Sequence, residues 1–108
     1  MKSSSAIEAF SALAQDTRLA VFRLLIEEGP PGLSAGSIAE HFDVLPSTLS
    51  THLAILTRAG LLRSKRVQRQ VFYSADMEGI CSLIQFLTED CCHGHPEFCR
   101  GLSKAVKT

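Results

Sequence analysis

Apolar residues recur at helical spacing along most of the chain and switch to alternation only once. Ile7, Phe10, Leu13 and Ala14 share one side of a helix predicted over residues 6–14, with Ser5 and Glu8 placed as a capping box. Asp16 is placed to cap a second helix over residues 17–28, whose stripe of Leu19, Phe22, Leu25 and Ile26 is predicted to be buried. That helix stops at the Gly29, Pro30, Pro31, Gly32 run, because proline cannot continue the hydrogen-bond ladder. A short third helix over residues 35–42 follows Ser34 and carries Ile38, Ala39 and Phe42 on one side.

After a turn at Asp43, Val44 and Leu45, Pro46 stands where the first turn of a helix tolerates it. The fourth helix, to about residue 59, carries Leu49, Leu53 and Leu56 at i, i+4 and i+7 and is ended by Gly60. At about 100° per residue, Thr48, Thr51, His52 and Ile55 turn away from the leucine stripe. Residues 61–65 and 71–74 then read as two short strands, the second alternating Val71 and Tyr73 against Phe72 and Ser74. A last helix is predicted from Asp76 to about residue 90 through Ile80, Leu83, Ile84 and Leu87, with Glu78 in its first turn. Gly94 and Pro96 break regularity beyond it, and no repeat or long linker divides the chain.

The net charge of zero offers no global attraction to nucleic acid, but the charges are segregated. Residues 44–75 contain no Asp or Glu and hold Arg58, Arg63, Lys65, Arg66 and Arg69, whereas both flanks are net acidic. Such a block suits a phosphate backbone, although it equally describes a solvated face. No apolar run reaches the ~18 residues of a membrane span, and a charge at Glu8 interrupts any signal-peptide core, so a cytoplasmic protein without a membrane partner is expected.

A short helix, a tight turn and a second helix with a small polar outward face, followed by a basic hairpin, are the parts of a winged helix-turn-helix. A B-form major groove accepts one helix, and short hydroxyl and imidazole side chains let it approach the base edges. The expected fold is mainly α with a two-stranded β-wing. The rival is an all-helical bundle with an exposed Ser/Thr face.

Residues 12–19 (ALAQDTRL) and 47–62 (STLSTHLAILTRAGLL), followed by a hairpin ending VFYS at 71–74, closely resemble the ArsR/SmtB family of metal-sensing repressors. The resemblance covers residues 6–90. It implies a homodimer joined through first and last helices, bound to palindromic operator DNA and released when an inducer binds. It also marks Ser47, Thr48, Ser50, Thr51 and His52 as base-reading or backbone-positioning residues, with wing contacts through Arg66 and Arg69; Arg58 of the basic block is a further DNA-contact candidate. The hairpin departs from the usual acidic-glycine turn, having Val67, Gln68, Arg69 and Gln70 there. Ser47 has a plainer reading as a helix cap, and Arg58 and Arg63 as solvated charges.

Of four cysteines, Cys81 stands alone on the last helix and reads as a small buried hydrophobe. Cys91, Cys92 and Cys99 cluster in the run CCHGHPEFC, and in a reducing compartment such a cluster reads as a metal, metalloid or redox site. A turn over residues 94–96 can fold Cys99 back towards the pair. Three thiolates suit a soft centre, and As(III) or Sb(III) binds three ligands in a pyramid around its lone pair. Zinc or cadmium, with His93 or His95 as a fourth ligand, and a disulfide or polysulfide switch remain open alternatives.

The tail also resembles arsenic-responsive family members whose inducer cysteines lie just beyond the last helix. Residues 1–90 then form a DNA-binding and dimerisation domain and 91–108 an inducer-binding tail. The expected function is an arsenic(III)-responsive repressor that leaves operator DNA when As(III) or Sb(III) binds Cys91, Cys92 and Cys99. An enzyme is not expected: there is no Cys-x-x-Cys, Gly-rich phosphate loop or recognisable nucleophile–base pair.

Overall fold

The computed structural model describes residues 1–88 and builds them as α1 (Ser3–Leu13), α2 (Asp16–Glu28), β1 (Leu33–Ser34), α3 (Ala35–Phe42), α4 (Pro46–Arg58), β2 (Leu62–Val67), β3 (Gln70–Ala75) and α5 (Met77–Leu87). Every expected element is present, and one strand was not foreseen. β1 pairs antiparallel with β3, placing Leu33 opposite Tyr73 and Ser34 opposite Phe72, so the two-stranded wing is part of a three-stranded sheet in the order β1-β3-β2. Two residues carry no periodicity, which is why the sequence did not reveal this strand. Gly32, at φ 91°, precedes it where a Cβ would run into the Tyr73 carbonyl, so the glycine lets β1 reach its partner.

α1 begins at Ser3 after an N-cap at Lys2 that makes no side-chain cap bond. Ser5 therefore lies inside the first turn, and the expected capping box is not formed. The face that α1 buries also differs from the one expected. Ala6, Ala9 and Ala12 form the buried row, while Ile7 is 67% and Phe10 42% exposed. Small side chains allow the helix to lie close against α2 and α4, which leaves Ile7 and Phe10 facing outward while Leu13 packs at the edge of the core. In α2, Val21, Phe22 and Leu25 are buried, but the expected core positions Leu19 and Ile26 are exposed. Its N-cap is Gln15, whose side chain accepts from the Arg18 backbone N–H at 2.9 Å, so Asp16 is the first helical residue and not the cap.

The N-caps of α3 and α5 follow side-chain chemistry. The Ser34 hydroxyl accepts from the Ser37 N–H at 3.1 Å at the start of α3, and the Asp76 carboxylate accepts from the Gly79 N–H at 3.2 Å at the start of α5. α5 ends at Leu87 with Thr88 as its C-cap; the expected continuation to residue 90 lies outside the described residues. Leu83 is buried, Ile80 and Ile84 are half-buried, and Leu87 is 64% exposed. Leu25, Ile38, Leu49, Leu53, Leu56 and Leu61 anchor the core. Among the described residues no buried side-chain N or O lacks a hydrogen-bond partner, and no helix is long and apolar enough to cross a membrane.

Candidate nucleic-acid interface

α3 ends at Phe42, and Asp43 takes the left-handed conformation (φ 52°) that turns the chain; its N–H bonds back to the Glu40 carbonyl at 3.2 Å and that of Val44 to the Ala39 carbonyl at 3.1 Å. Leu45 is the N-cap of α4 and Pro46 its first residue, so Ser47 is not the cap. The buried stripe of Leu49, Leu53 and Leu56 fixes the rotation of α4 on the body of the domain. Ser47, Thr48, Ser50 and Thr51 are consequently exposed together on the first turns of the helix. The Thr51 hydroxyl donates to the Ser47 carbonyl at 3.4 Å and keeps lone pairs for an outside donor. His52 differs from its neighbours, being half-buried with Nδ1 3.3 Å from an Arg18 guanidinium nitrogen. Arg58 is exposed in the last turn.

In the wing, β2 and β3 run in register from Leu62 opposite Ala75 to Val67 opposite Gln70, leaving Gln68 and Arg69 as a two-residue turn. Gln68 adopts φ 57°, a conformation that such hairpin turns usually give to Gly or Asn. Opposed residues of an antiparallel pair share a face, so Arg66 lies with Val71 on the face that carries Leu62 and Ala75 nearer the body, and Lys65 lies with Phe72 on the other. Arg66 and Arg69 are both exposed at the tip, and Arg66 Nε reaches the Gln68 carbonyl at 3.5 Å. Arg63 is engaged elsewhere. Its guanidinium lies 3.3 Å from Asp76 and 3.4 Å from Glu78, tying the base of the wing to the start of α5 rather than presenting a free cation.

The expected DNA-contact residues thus fall on two projecting elements, α4 and the wing tip. If both ride on phosphates, replacing Arg66 and Arg69 together by glutamine should weaken binding about equally on any duplex. It should also flatten the slope of log affinity against log salt by roughly 0.9 per lost contact. Fluorescence anisotropy across a salt series checks this, and an unchanged slope would remove the wing from the interface.

Cys81 is half-buried on α5, less enclosed than its reading as a core hydrophobe expected. Cys91, Cys92 and Cys99, with His93 and His95, lie outside the described residues. Among the described residues no group of three His, Cys, Asp or Glu side chains is placed to hold a metal ion. The contact that sequence reading missed is Arg18 with His52: the two are 34 positions apart, and Arg18 stood out only as part of the 12–19 block.

A buried leucine stripe, a small polar face on α4 and a basic hairpin beside it define a winged helix-turn-helix of the DNA-binding regulator class. Residues 13–65 match the family model described as a helix-turn-helix domain. The chain is 31% identical over 93 residues to the HTH-type transcriptional regulator YbzH of Bacillus subtilis, covering 75% of this chain and 93% of that protein. The solved structure of HlyU from Vibrio cholerae is 29% identical and superposes with a TM-score of 0.65 over 83% of this chain and 95% of its own. An ArsR-like transcriptional regulator from Rhodococcus, at 23% identity, shares the fold with a TM-score of 0.73 over 97% and 96% of the two chains. The protein belongs to the ArsR/SmtB family of winged-helix transcriptional regulators, of the ArsR and HlyU type.

Proposed function

We propose that this protein is an arsenic(III)-responsive repressor of the cytoplasm, which binds operator DNA as a homodimer and leaves it when As(III) or Sb(III) engages Cys91, Cys92 and Cys99. The observation that carries this reading is the cysteine pattern itself. Three thiols fall within nine residues, beginning four positions after Leu87, the last residue of α5. Arsenite exchanges its three hydroxyls for three thiols with loss of three waters, which needs neither a fourth ligand nor a change of oxidation state. Zinc would require a fourth donor from His93 or His95 to complete its tetrahedron.

The placement of α5 supports a route from that site to DNA. α5 packs against α1, and Ile7, Phe10 and Leu87 on these two helices stand exposed in the single chain. Large apolar side chains in such positions suit burial against a second copy. A two-fold pair joined there sets two α4 helices at successive major grooves, roughly 34–36 Å apart. Closing a loop of residues 91–99 at the end of α5 then acts on the dimer joint and on the spacing of α4. Complete reversal from 1:99 to 99:1 requires the inducer to favour the released form by about 5.5 kcal/mol.

Arsenite, cadmium, zinc and a polysulfide, added separately to the protein bound to its upstream promoter fragment, test the assignment. Arsenite is expected to release the fragment at the lowest concentration. Release by zinc, cadmium or polysulfide with no response to arsenite would replace this inducer with another of the soft-metal or sulfur class.

A further inference from the structure

We infer that Arg18 is a positioning residue for DNA recognition: its guanidinium donates to His52 Nδ1 and so directs the ring's Nε2–H outward, where His52 offers the DNA a hydrogen-bond donor. The inference rests on the reading of α4 as the DNA-contact helix. Arg18 Nε donates to the Ala12 carbonyl at 2.6 Å, a terminal nitrogen approaches the Ser11 carbonyl at 3.5 Å, and the other lies 3.3 Å from His52 Nδ1. One side chain thereby spans α1, its own helix α2 and α4.

The chemistry of this contact has one sense. A guanidinium carries only donors, so the Nδ1 facing it must accept, and a neutral ring then bears its single proton on Nε2. Two of the three acceptors are carbonyls in the last turn of α1, where helix-end polarity favours a cation; that of Ser11 also accepts from the Ala14 N–H at 3.2 Å. These bonds fix the guanidinium plane before it meets His52. His52 in turn lies on the side of α4 shared with Thr48 and Thr51, both exposed. Its Nε2–H is therefore matched to an acceptor, either a phosphate oxygen or a purine N7 in the major groove. Lysine at position 18 would keep the charge but lacks the planar fork that serves two elements at once.

A double-mutant cycle on the full-length protein and its promoter fragment tests this. Arg18→Met is expected to weaken binding about tenfold, as loss of a charge-assisted contact would. His52→Ala should do the same, and the pair together no more than either alone. Arg18→Lys should behave as Arg18→Met. Equal loss on the promoter fragment and on a scrambled duplex assigns the acceptor to phosphate, and loss on the promoter fragment alone assigns it to a base.

Ring nitrogen NMR on the free protein gives a readout independent of DNA. Wild type should show an unprotonated, hydrogen-bonded Nδ1, and Arg18→Met should move that resonance towards a free pyridine-type nitrogen. A protonated Nδ1 in wild type, full recovery by Arg18→Lys, or additive losses in the cycle would each overturn the inference while the DNA-binding reading stands. A wild-type protein that binds no duplex at low salt would overturn both.

Discussion

Serine in place of Cys91, Cys92 or Cys99 is expected to leave operator affinity within about twofold of wild type and to abolish release by arsenite. Serine is nearly isosteric with cysteine, and none of the three positions lies on α4 or the wing, so the DNA-binding surface is left as it was. The alcohol, however, is a hard donor that stays protonated at neutral pH, and it cannot replace a thiolate on a soft centre. On the proposed three-thiolate site, losing one of three arms would remove both a strong bond and the loop closure that the arm imposes. The differential binding that drives release, about 5.5 kcal/mol for a complete switch, is then no longer available. Anisotropy of a labelled operator under an arsenite titration reads both quantities at once. Three variants that all release DNA as wild type does would move the inducer site elsewhere.

Gly79→Ala is expected to lower stability by about 2 kcal/mol, although helix propensity alone predicts a gain approaching 1 kcal/mol. Gly79 lies in the first turn of α5, where a Cβ would collide with the Gly60 carbonyl, and a backbone atom cannot escape by changing rotamer. α5 would have to lift away from the turn that ends α4, straining the 2.9 Å bond from the Asp76 N–H to the Leu61 carbonyl. In a domain of this size that loss lowers the melting temperature by about 10 °C. Gly36→Ala on α3 is the matched control. A Cβ there meets nothing within 4 Å, so the melting temperature should hold or rise slightly. A rise in melting temperature for both variants would show that propensity, and not the α5–Gly60 approach, governs position 79.

The same approach bears on regulation. The start of α5 is bound to the end of α4 by Gly79 on Gly60 and by the Asp76–Leu61 bond, and to the wing by Arg63. A displacement of α5 thus has rigid connections to both projecting elements. Gly79→Ala should weaken operator binding as well as stability, which separates this joint from a purely local packing defect.

Much of the architecture was legible because its signals are local. The i, i+4, i+7 leucines of α4 dictate which side faces inward, and that rotation by itself exposes Ser47, Thr48, Ser50 and Thr51. Pro46, the Gly29 to Gly32 run and Gly60 mark helix limits through backbone geometry that needs no tertiary context. The charge gap over residues 44–75 likewise gathers Arg58, Arg63, Lys65, Arg66 and Arg69 into one stretch that needs no tertiary context to see.

Tertiary structure decided the matters that depend on distance in the chain. Periodicity places Ile7 and Phe10 on a helical stripe, but only the packing of Ala6, Ala9 and Ala12 against the domain showed that the small face goes inside. β1 exists because Gly32 lets two residues reach Tyr73 and Phe72 from 38 or more positions away, a pairing without a local pattern. Arg63 and Arg66 look alike in the sequence, and only the fold pairs the first with Asp76 and Glu78 and leaves the second at the wing tip. Side-chain periodicity is written within a few residues and survives reading one position at a time. Which faces meet, and which cations find a partner, is set by the whole chain closing on itself.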